Sequence, residues 1–312
     1  MTHNDRKSSA VSVVVPVHNS AESLPLLAAG VENVLNSVGC PFELILVDDG
    51  SRDESWRVIR ELAAKFHAVR GIALMRNYGQ HNALLCGIRA AKTDIIVTLD
   101  DDLQHPPEEI PKLLEKLAKG HDVVYGTPVK GQHGLWRNLA SWITKLALKS
   151  AIGAETARHV SAFRAFRTDL REAFATYQSP FVSIDVLLTW GGGRFTAVPV
   201  RHDARVIGAS NYTFRKLLIH ALNMMTGFSM VPLQLASLIG FCFTLFGIGI
   251  LVYVVARYII EGSGVPGFPF LASVIAIFSG AQLFALGIIG EYLARIHFRI
   301  LDKPPYTVRS TV

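Results

Sequence analysis

The sequence is poor in cysteine. Its three, Cys40, Cys86 and Cys242, are scattered with no paired spacing, which points away from a disulfide framework and from a zinc site. Formal charge is missing over two long stretches. No Asp, Glu, Lys or Arg occurs from Leu217 to Ala256, and none from Gly262 to Gly290. Charge-free runs of this length are rare in water-soluble folds, and each exceeds the ~20 apolar residues needed to cross a bilayer. A signal peptide is not evident: the start, Met-Thr-His-Asn-Asp-Arg-Lys, is polar, and the first apolar run is only Val11–Val17. Internal repeats, low-complexity tracts and nucleic-acid-binding modules are absent as well. The net charge of +6 therefore reads as affinity for an anionic membrane surface or a phosphorylated ligand, not for nucleic acid.

What is present is apolar and unevenly placed. Half of the 312 residues are hydrophobic, and the mean hydropathy is +0.32. The excess lies in the C-terminal third, where the pattern predicts two membrane helices, about Leu233–Tyr258 and Phe270–Tyr292. A tight Gly- and Pro-rich turn joins them over 262–269. Arg215 and Lys216 precede the first span, and Arg295, Arg299, Lys303 and Arg309 follow the second. The positive-inside rule then places the large N-terminal part and the C-terminal tail in the cytoplasm. The expected organisation is a polar tail over 1–10, a catalytic domain over 11–212, a juxtamembrane helix over 213–230, a transmembrane hairpin over 231–292 and a tail over 293–312. Within the domain, 136–152 carries Arg and Lys on one side and Trp, Ile and Leu on the other. That suits a helix lying in the membrane interface, with an ordinary surface helix as the alternative.

Upstream, strand-like runs alternate with helical ones. Val11–Val17, Phe42–Val47, Val69–Met75 and Ile95–Leu99 read as strands; 20–38, 54–66 and 81–91 read as helices. This alternation predicts an α/β domain with a doubly wound, mostly parallel sheet, in which ligands bind at the carboxyl ends of strands. Each of those ends is polar: His18-Asn19, Asp48-Asp49, Arg76-Asn77 and Asp100-Asp101-Asp102. Taken alone, the acidic triplet reads equally well as a solvated turn before a Pro-started helix. Four chemically loaded strand ends in one sheet favour a site, with a divalent cation and a diphosphate offsetting the carboxylates.

At these residues the chain resembles the membrane-anchored polyprenyl-phosphate glycosyltransferases of GT-A fold, a family that takes in dolichol-phosphate mannose synthase, the bactoprenol glucosyltransferases and the aminoarabinose transferase of lipid A modification. Val15-Pro16-Val17-His18-Asn19, Val47-Asp48-Asp49-Gly50-Ser51, Arg76 to His81, Leu99 to Pro106, His202 to Tyr212, Gly290-Glu291-Tyr292 and Lys303-Pro304-Pro305-Tyr306 match in order. The resemblance covers almost the whole chain. It implies an inverting transfer of a sugar from a nucleotide donor, UDP-linked, to undecaprenyl phosphate on the inner face of a bacterial cytoplasmic membrane. Pro16, Asn19, Glu22, Asp49, Arg76 and Asp100 then lie at the nucleotide, with Asp49 receiving the uracil edge. Asp102, Gln104 and Asp100 hold Mg²⁺ or Mn²⁺, both hard cations suited to oxygen donors. Asp101, in the variable middle position, is expected to point away from the metal. Arg205 is expected to close over the phosphates, a surface salt bridge being its alternative. Asp100, Asp102 and Arg205 carry the catalysis. A homo-oligomer, a tetramer among the options, is also implied.

One departure bears on mechanism. Relatives commonly place a candidate general base before the Phe-Arg segment, and here that position is Ala162, which cannot take a proton. A lipid monophosphate, with its second pKa near ~6, is largely dianionic at neutral pH and needs no base. Arg164, Arg167, His159 and Ser210 are then expected around the acceptor phosphate. Two rivals remain. A processive polysaccharide synthase would carry a Gln-x-x-Arg-Trp motif, which is missing, and an inactive membrane-anchored scaffold would find its best support in Ala162.

Overall fold

A computed structural model describes residues 10–128, 160–203, 231–261 and 267–312. His159, Arg205 and Ser210, the helices expected over 136–152 and 213–230, and most of the 1–10 tail fall outside the described residues. The chain divides into two compact units, Met1–Ala221 with Asp302–Val312, and Leu222–Leu301.

In the first unit, β1 (Val11–Val17), β2 (Phe42–Asp48), β3 (Val69–Leu74) and β4 (Ile95–Thr98) alternate with α1 (Leu24–Val38), α2 (Ser55–Lys65) and α3 (Gln80–Ala90). A 3₁₀ turn, Pro107–Glu109, leads into α4 (Ile110–Ala118). Then follow β5 (Val123–Pro128), β6 (Arg164–Arg167), α5 (Ile184–Gly191) and β7 (Phe195–Val200). With β8 (Val308–Thr311) they form one sheet in the order β7-β5-β6-β4-β1-β2-β3-β8. β1 pairs in parallel with both β2 and β4, and β2 with β3; β6 and β8 run antiparallel to their neighbours. The expected fold class holds.

The strand sequences explain the layers. Side chains alternate across a strand, and β1 and β2 are apolar on both faces, as strands covered on both sides must be. Val11, Val13, Val15, Val17, Leu44 and Leu46 pack with α1, α2 and α4 residues in one cluster. Val14, Ile45 and Val47 pack on the other face with α3 and α5. α1 begins at Leu24, four residues later than expected, with Pro25 in its first turn, where a missing N–H costs nothing. Ser20 and Ala21 are held out of the helix because their N–H groups donate to Ser55 Oγ at 2.9 Å and Asp53 Oδ2 at 3.1 Å.

The topology fixes where a ligand binds. The chain places β2 and β3 to one side of β1, then crosses to put β4 on the other side. This reversal of direction is the switch point at which α/β sheets open a crevice. Pairing of β1 with β4 ends at Val14–Thr98, so Pro16 lies beyond it. Its missing N–H deprives β4 of nothing, which reconciles a proline with a central strand.

The second unit contains α6 (Val231–Glu261) and α7 (Phe268–Ile300). Both hold stretches long and apolar enough to cross a membrane, Pro232–Ile260 and Ile277–His297. Leu251, Tyr258 and Leu283 point outward and are exposed, as lipid-facing side chains would be. Phe243 and Phe278 meet edge to face, centroids 5.4 Å apart. Both helices outrun the expected spans because backbone hydrogen bonding continues past the apolar stretch; Arg295 and Glu291, one turn apart, bridge at 2.8 Å.

The tail expected over 293–312 is corrected. Residues through Ile300 continue α7, and Val308–Thr311 returns to the sheet as β8 beside β3. Four residues without apolar alternation carry no strand signal of their own; the open edge of β3 supplies their partners.

Candidate active site

The site gathers the loops after β1 to β4. The β2 end begins with Asp48, whose Oδ1 accepts the Ser51 N–H at 3.1 Å. Asp49 is buried, and its two oxygens accept the N–H groups of Tyr78 at 2.7 Å and Gly79 at 2.8 Å. Burial pushes the Asp49 carboxyl above the usual range, and these two bonds work against that shift. Asp49 therefore ties the β2 loop to the β3 loop. Gly50 makes the tie possible: its φ is +67°, and a Cβ there would sit 2.5 Å from the Arg76 carbonyl carbon, so no other residue fits. Arg76 is exposed and lies over the Tyr78 ring, 4.8 Å from its centroid.

The β1 end is set by a non-glycine residue in a left-handed conformation, Asn19 at φ +56°, a geometry Asn tolerates better than most. The Asn19 N–H donates to Ser51 Oγ at 3.0 Å, and Asn19 Oδ1 accepts the Arg52 N–H at 2.8 Å. Glu22 is exposed on the turn that follows. Pro16 is buried in β1, level with Val47.

After β4 the chain does not stay extended. It turns through Asp101–His105, with Leu103 at φ +60°. A leucine in the left-handed region is strained, and such outliers concentrate at functional sites. Leu103 is held there by packing against the core. The turn separates the three carboxylates. Asp100 accepts a hydrogen bond from Gln80 Nε2 at 2.7 Å. Asp102 Oδ1 caps the turn by accepting the Gln104 N–H at 3.1 Å. Asp101 Oδ2 accepts the His18 N–H at 3.1 Å. Asp101, expected to point away from the metal, is directed at the β1 loop and helps hold it.

Asp100 is the most perturbed of the three. Burial first, then the Asp102 and Asp101 carboxylates, push it up to about 7; Arg164 and the Gln80 bond pull it down. Arg164 stands opposite Thr98 on β6. It is wholly buried, ion-paired with Asp185, and its Nε donates to Thr98 Oγ1 at 3.1 Å. Tyr125 also donates to Asp185, at 3.1 Å. The acceptor-phosphate role expected for Arg164 is corrected: a guanidinium sealed in the core cannot meet a lipid headgroup, and it instead places positive charge beneath the acidic turn. Arg167 is corrected as well. It pairs with Ile95, at the start of β4, three residues or ~10 Å down the strand from the site end. Ala162 does lie at the site end, its carbonyl accepting the Thr98 hydroxyl at 2.6 Å.

A further group comes from the far half of the sheet. The Asp203 N–H, beyond β7, donates to the Gln104 carbonyl at 2.9 Å, and the His202 ring meets His105 edge-on at 4.9 Å. His105 is buried, and among the described residues neither of its ring nitrogens has a hydrogen-bond partner. Burial, then His202, push its pKa down to about 4. The motifs contained Gln80, His105 and His202, but their mutual placement depends on β4 and β7, far apart in sequence, and had no local signal. The Arg164–Asp185–Tyr125 cluster had none at all.

Whether a metal fits is a question of donor chemistry. Among the described residues no three His, Cys, Asp or Glu side chains converge on one point. Mg²⁺ and Mn²⁺ do not require that: Mg²⁺ in particular is held by one or two carboxylates together with substrate phosphates. Asp100 and Asp102 on one turn, with Asp100 raised first by burial and then by the neighbouring carboxylates, match that use, because a cation relieves the repulsion.

The comparisons agree with this geometry. Residues 12–174 match the family described as Glycosyl transferase family 2. The chain is 36% identical to an undecaprenyl-phosphate 4-deoxy-4-formamido-L-arabinose transferase of Pectobacterium carotovorum, covering 97% of this chain and 93% of that one. It is 37% identical to the protein of the same name in Shewanella sediminis, covering 99% and 94%. Among solved structures, a glucosyl-3-phosphoglycerate synthase from Mycobacterium tuberculosis, crystallised with Mn²⁺, UDP and phosphoglyceric acid, shares the fold with a TM-score of 0.50. Its identity is 19%, over 70% of this chain and 76% of that one. With its loaded strand ends at the switch point, its two apolar C-terminal helices and this full-length likeness, the chain belongs to glycosyl transferase family 2, among its polyprenyl-phosphate glycosyltransferases.

Proposed function

We propose that the protein moves a sugar from a UDP-linked donor to undecaprenyl phosphate at the cytoplasmic face of the membrane, with inversion at the anomeric carbon. The observation that carries this reading is the acidic turn, Asp100 to Gln104, at the switch point of a chain that matches lipid-phosphate transferases over 97% of its length. An oxygen of the lipid phosphate attacks the anomeric carbon while the bond from that carbon to the UDP oxygen breaks, and UDP departs with the electron pair.

Asp102, Gln104 and Asp100 would hold Mg²⁺ or Mn²⁺, which offsets negative charge developing on the departing diphosphate. Gln80 fixes the Asp100 oxygen, and the Arg164 charge beneath it favours the ionised form. Asp49 holds the Tyr78–Gly79 backbone that walls the base side, with Asn19, Pro16, Glu22 and Arg76 around the nucleotide. The family resemblance assigns Arg205 to the phosphates, and His159 and Ser210 to the acceptor. No base is required where Ala162 stands, because the acceptor phosphate already carries its charge. The relatives' sugar, 4-deoxy-4-formamido-L-arabinose, is the first donor to try.

Topology has separate support. β8, beyond the second apolar helix, pairs within the same sheet as β1 to β4. That pairing supports placing both flanks of the helical hairpin on the same side of the membrane, and the Lys and Arg bias supports the cytoplasmic side. Small residues Gly280, Ala281, Gly287 and Gly290 suit helix packing between protomers of a homo-oligomer.

Purified protein in lipid, given undecaprenyl phosphate, Mn²⁺ and a panel of UDP-sugars, should form a single-sugar lipid product with one donor and release UDP. Chelation should stop it. A polymeric product would favour a processive synthase. Neither transfer nor donor hydrolysis with any donor would leave an inactive scaffold.

A further inference from the structure

The Lys303-Pro304-Pro305-Tyr306 motif and the strand after it have no part in the chemistry above. Their contacts are nonetheless concentrated on the nucleotide side of the site. Val312 and Gly71 exchange two backbone hydrogen bonds, at 2.8 and 2.9 Å. The pairing then runs past the end of β3 into the loop: Met75 N–H donates to the Thr307 carbonyl at 2.9 Å, and Arg309 Nη2 donates to the Met75 carbonyl at 2.8 Å. Pro305 is buried. Tyr306 packs against the α3 face of the core, its ring 5.9 Å from the Arg89 guanidinium.

The two elements gripped in this way are not arbitrary. The loop over 76–79 supplies both N–H groups that hold Asp49. α3 begins with Gln80, which holds Asp100. Gly50 also lies close against the backbone of this loop. The loop is thus held both by the β2 end and by a segment more than two hundred residues away in sequence.

We propose that Tyr306–Arg309 is a positioning strap for the donor half of the site: it sets the Tyr78–Gly79 backbone and the start of α3, and through them Asp49 and Asp100. The strap touches no reacting atom. It acts on donor affinity and leaves acceptor binding alone. The inference rests on the reading of Asp49 and its loop as the nucleotide wall.

The test uses full-length protein in lipid nanodiscs. Wild type, Tyr306→Ala, Arg309→Ala and Tyr306→Phe are compared for UDP binding, for KM of donor and acceptor, and for hydrogen exchange at the Tyr78 and Gly79 amides. Tyr306→Ala should raise donor KM and UDP Kd about tenfold, the size of one lost hydrogen bond or ring contact. Acceptor KM should stay within about twofold, and the two amides should exchange faster. Arg309→Ala should move the same quantities in the same direction. Tyr306→Phe keeps the ring and should restore most of the affinity. Unchanged UDP Kd and amide exchange in Tyr306→Ala would overturn the strap. So would equal loss of donor and acceptor binding with a lowered Tm, the pattern of general unfolding. If wild type does not bind UDP, the nucleotide reading itself fails, and the inference with it.

Discussion

At the scale of residues, the three aspartates show how one turn gives like side chains unlike work. Asp102 caps the turn and Asp100 is bonded by Gln80, whereas Asp101 holds the β1 loop through His18. Asp102→Asn keeps the shape and removes the charge, so transfer should fall on the order of 10³-fold, as when a charge-stabilising group is lost. Asp101→Ala should instead raise donor KM about tenfold with metal dependence unchanged, the effect of one hydrogen bond. Steady-state kinetics at varied Mn²⁺ separates the two, and equal loss would refute the division. The raised Asp100 predicts a pH effect. The acid is neutral below about 7, and a cation must displace its proton. Mn²⁺ affinity should therefore weaken as pH falls through 7, by up to about tenfold per pH unit for one proton, and Asp100→Asn should flatten that profile. The Asp-x-Asp pattern was legible in the sequence. The task of its middle residue was not, because it depends on Leu103 adopting φ +60°, which nothing local to a leucine announces.

At the scale of elements, β6 shows a polar residue doing internal work. Arg164 sits among side chains with less than 2% exposure, on a short strand between β4 and β5. In the sequence, two arginines flanking Ala-Phe suggested an anion site. The register decides otherwise, since Arg164 pairs with Thr98 and Arg167 with Ile95. Arg164→Met leaves Asp185 buried and uncompensated. That costs about 3–5 kcal/mol, lowering Tm on the order of 10 °C. Adding Asp185→Leu should recover much of the Tm in a thermal-shift assay. Activity should not return with it, because Asp100 has lost its buried cation. Recovery of both would mean that Arg164 is only structural. The helices and the first four strands, by contrast, were readable to within a few residues, since their apolar periodicity is local.

At the scale of the whole molecule, local pattern was enough to read the parallel α/β core, the two long apolar helices and the four polar strand ends. Each follows from patterns within ten to thirty residues: alternation, charge-free length, and acidic or amide groups after an apolar run. Tertiary structure alone decided three things. It put β4 across β1 from β2, so that His18 and Asp101 meet. It buried Arg164 under Asp100 rather than at a lipid phosphate. And it brought Val308–Thr311 back to β3, so that an expected tail became a strand whose Arg309 bonds the Met75 carbonyl at the mouth of the β3 loop. The physical reason is the same in each case. Hydrogen-bond partners and counter-charges supplied from distant parts of the chain leave no periodic trace in the segment that receives them.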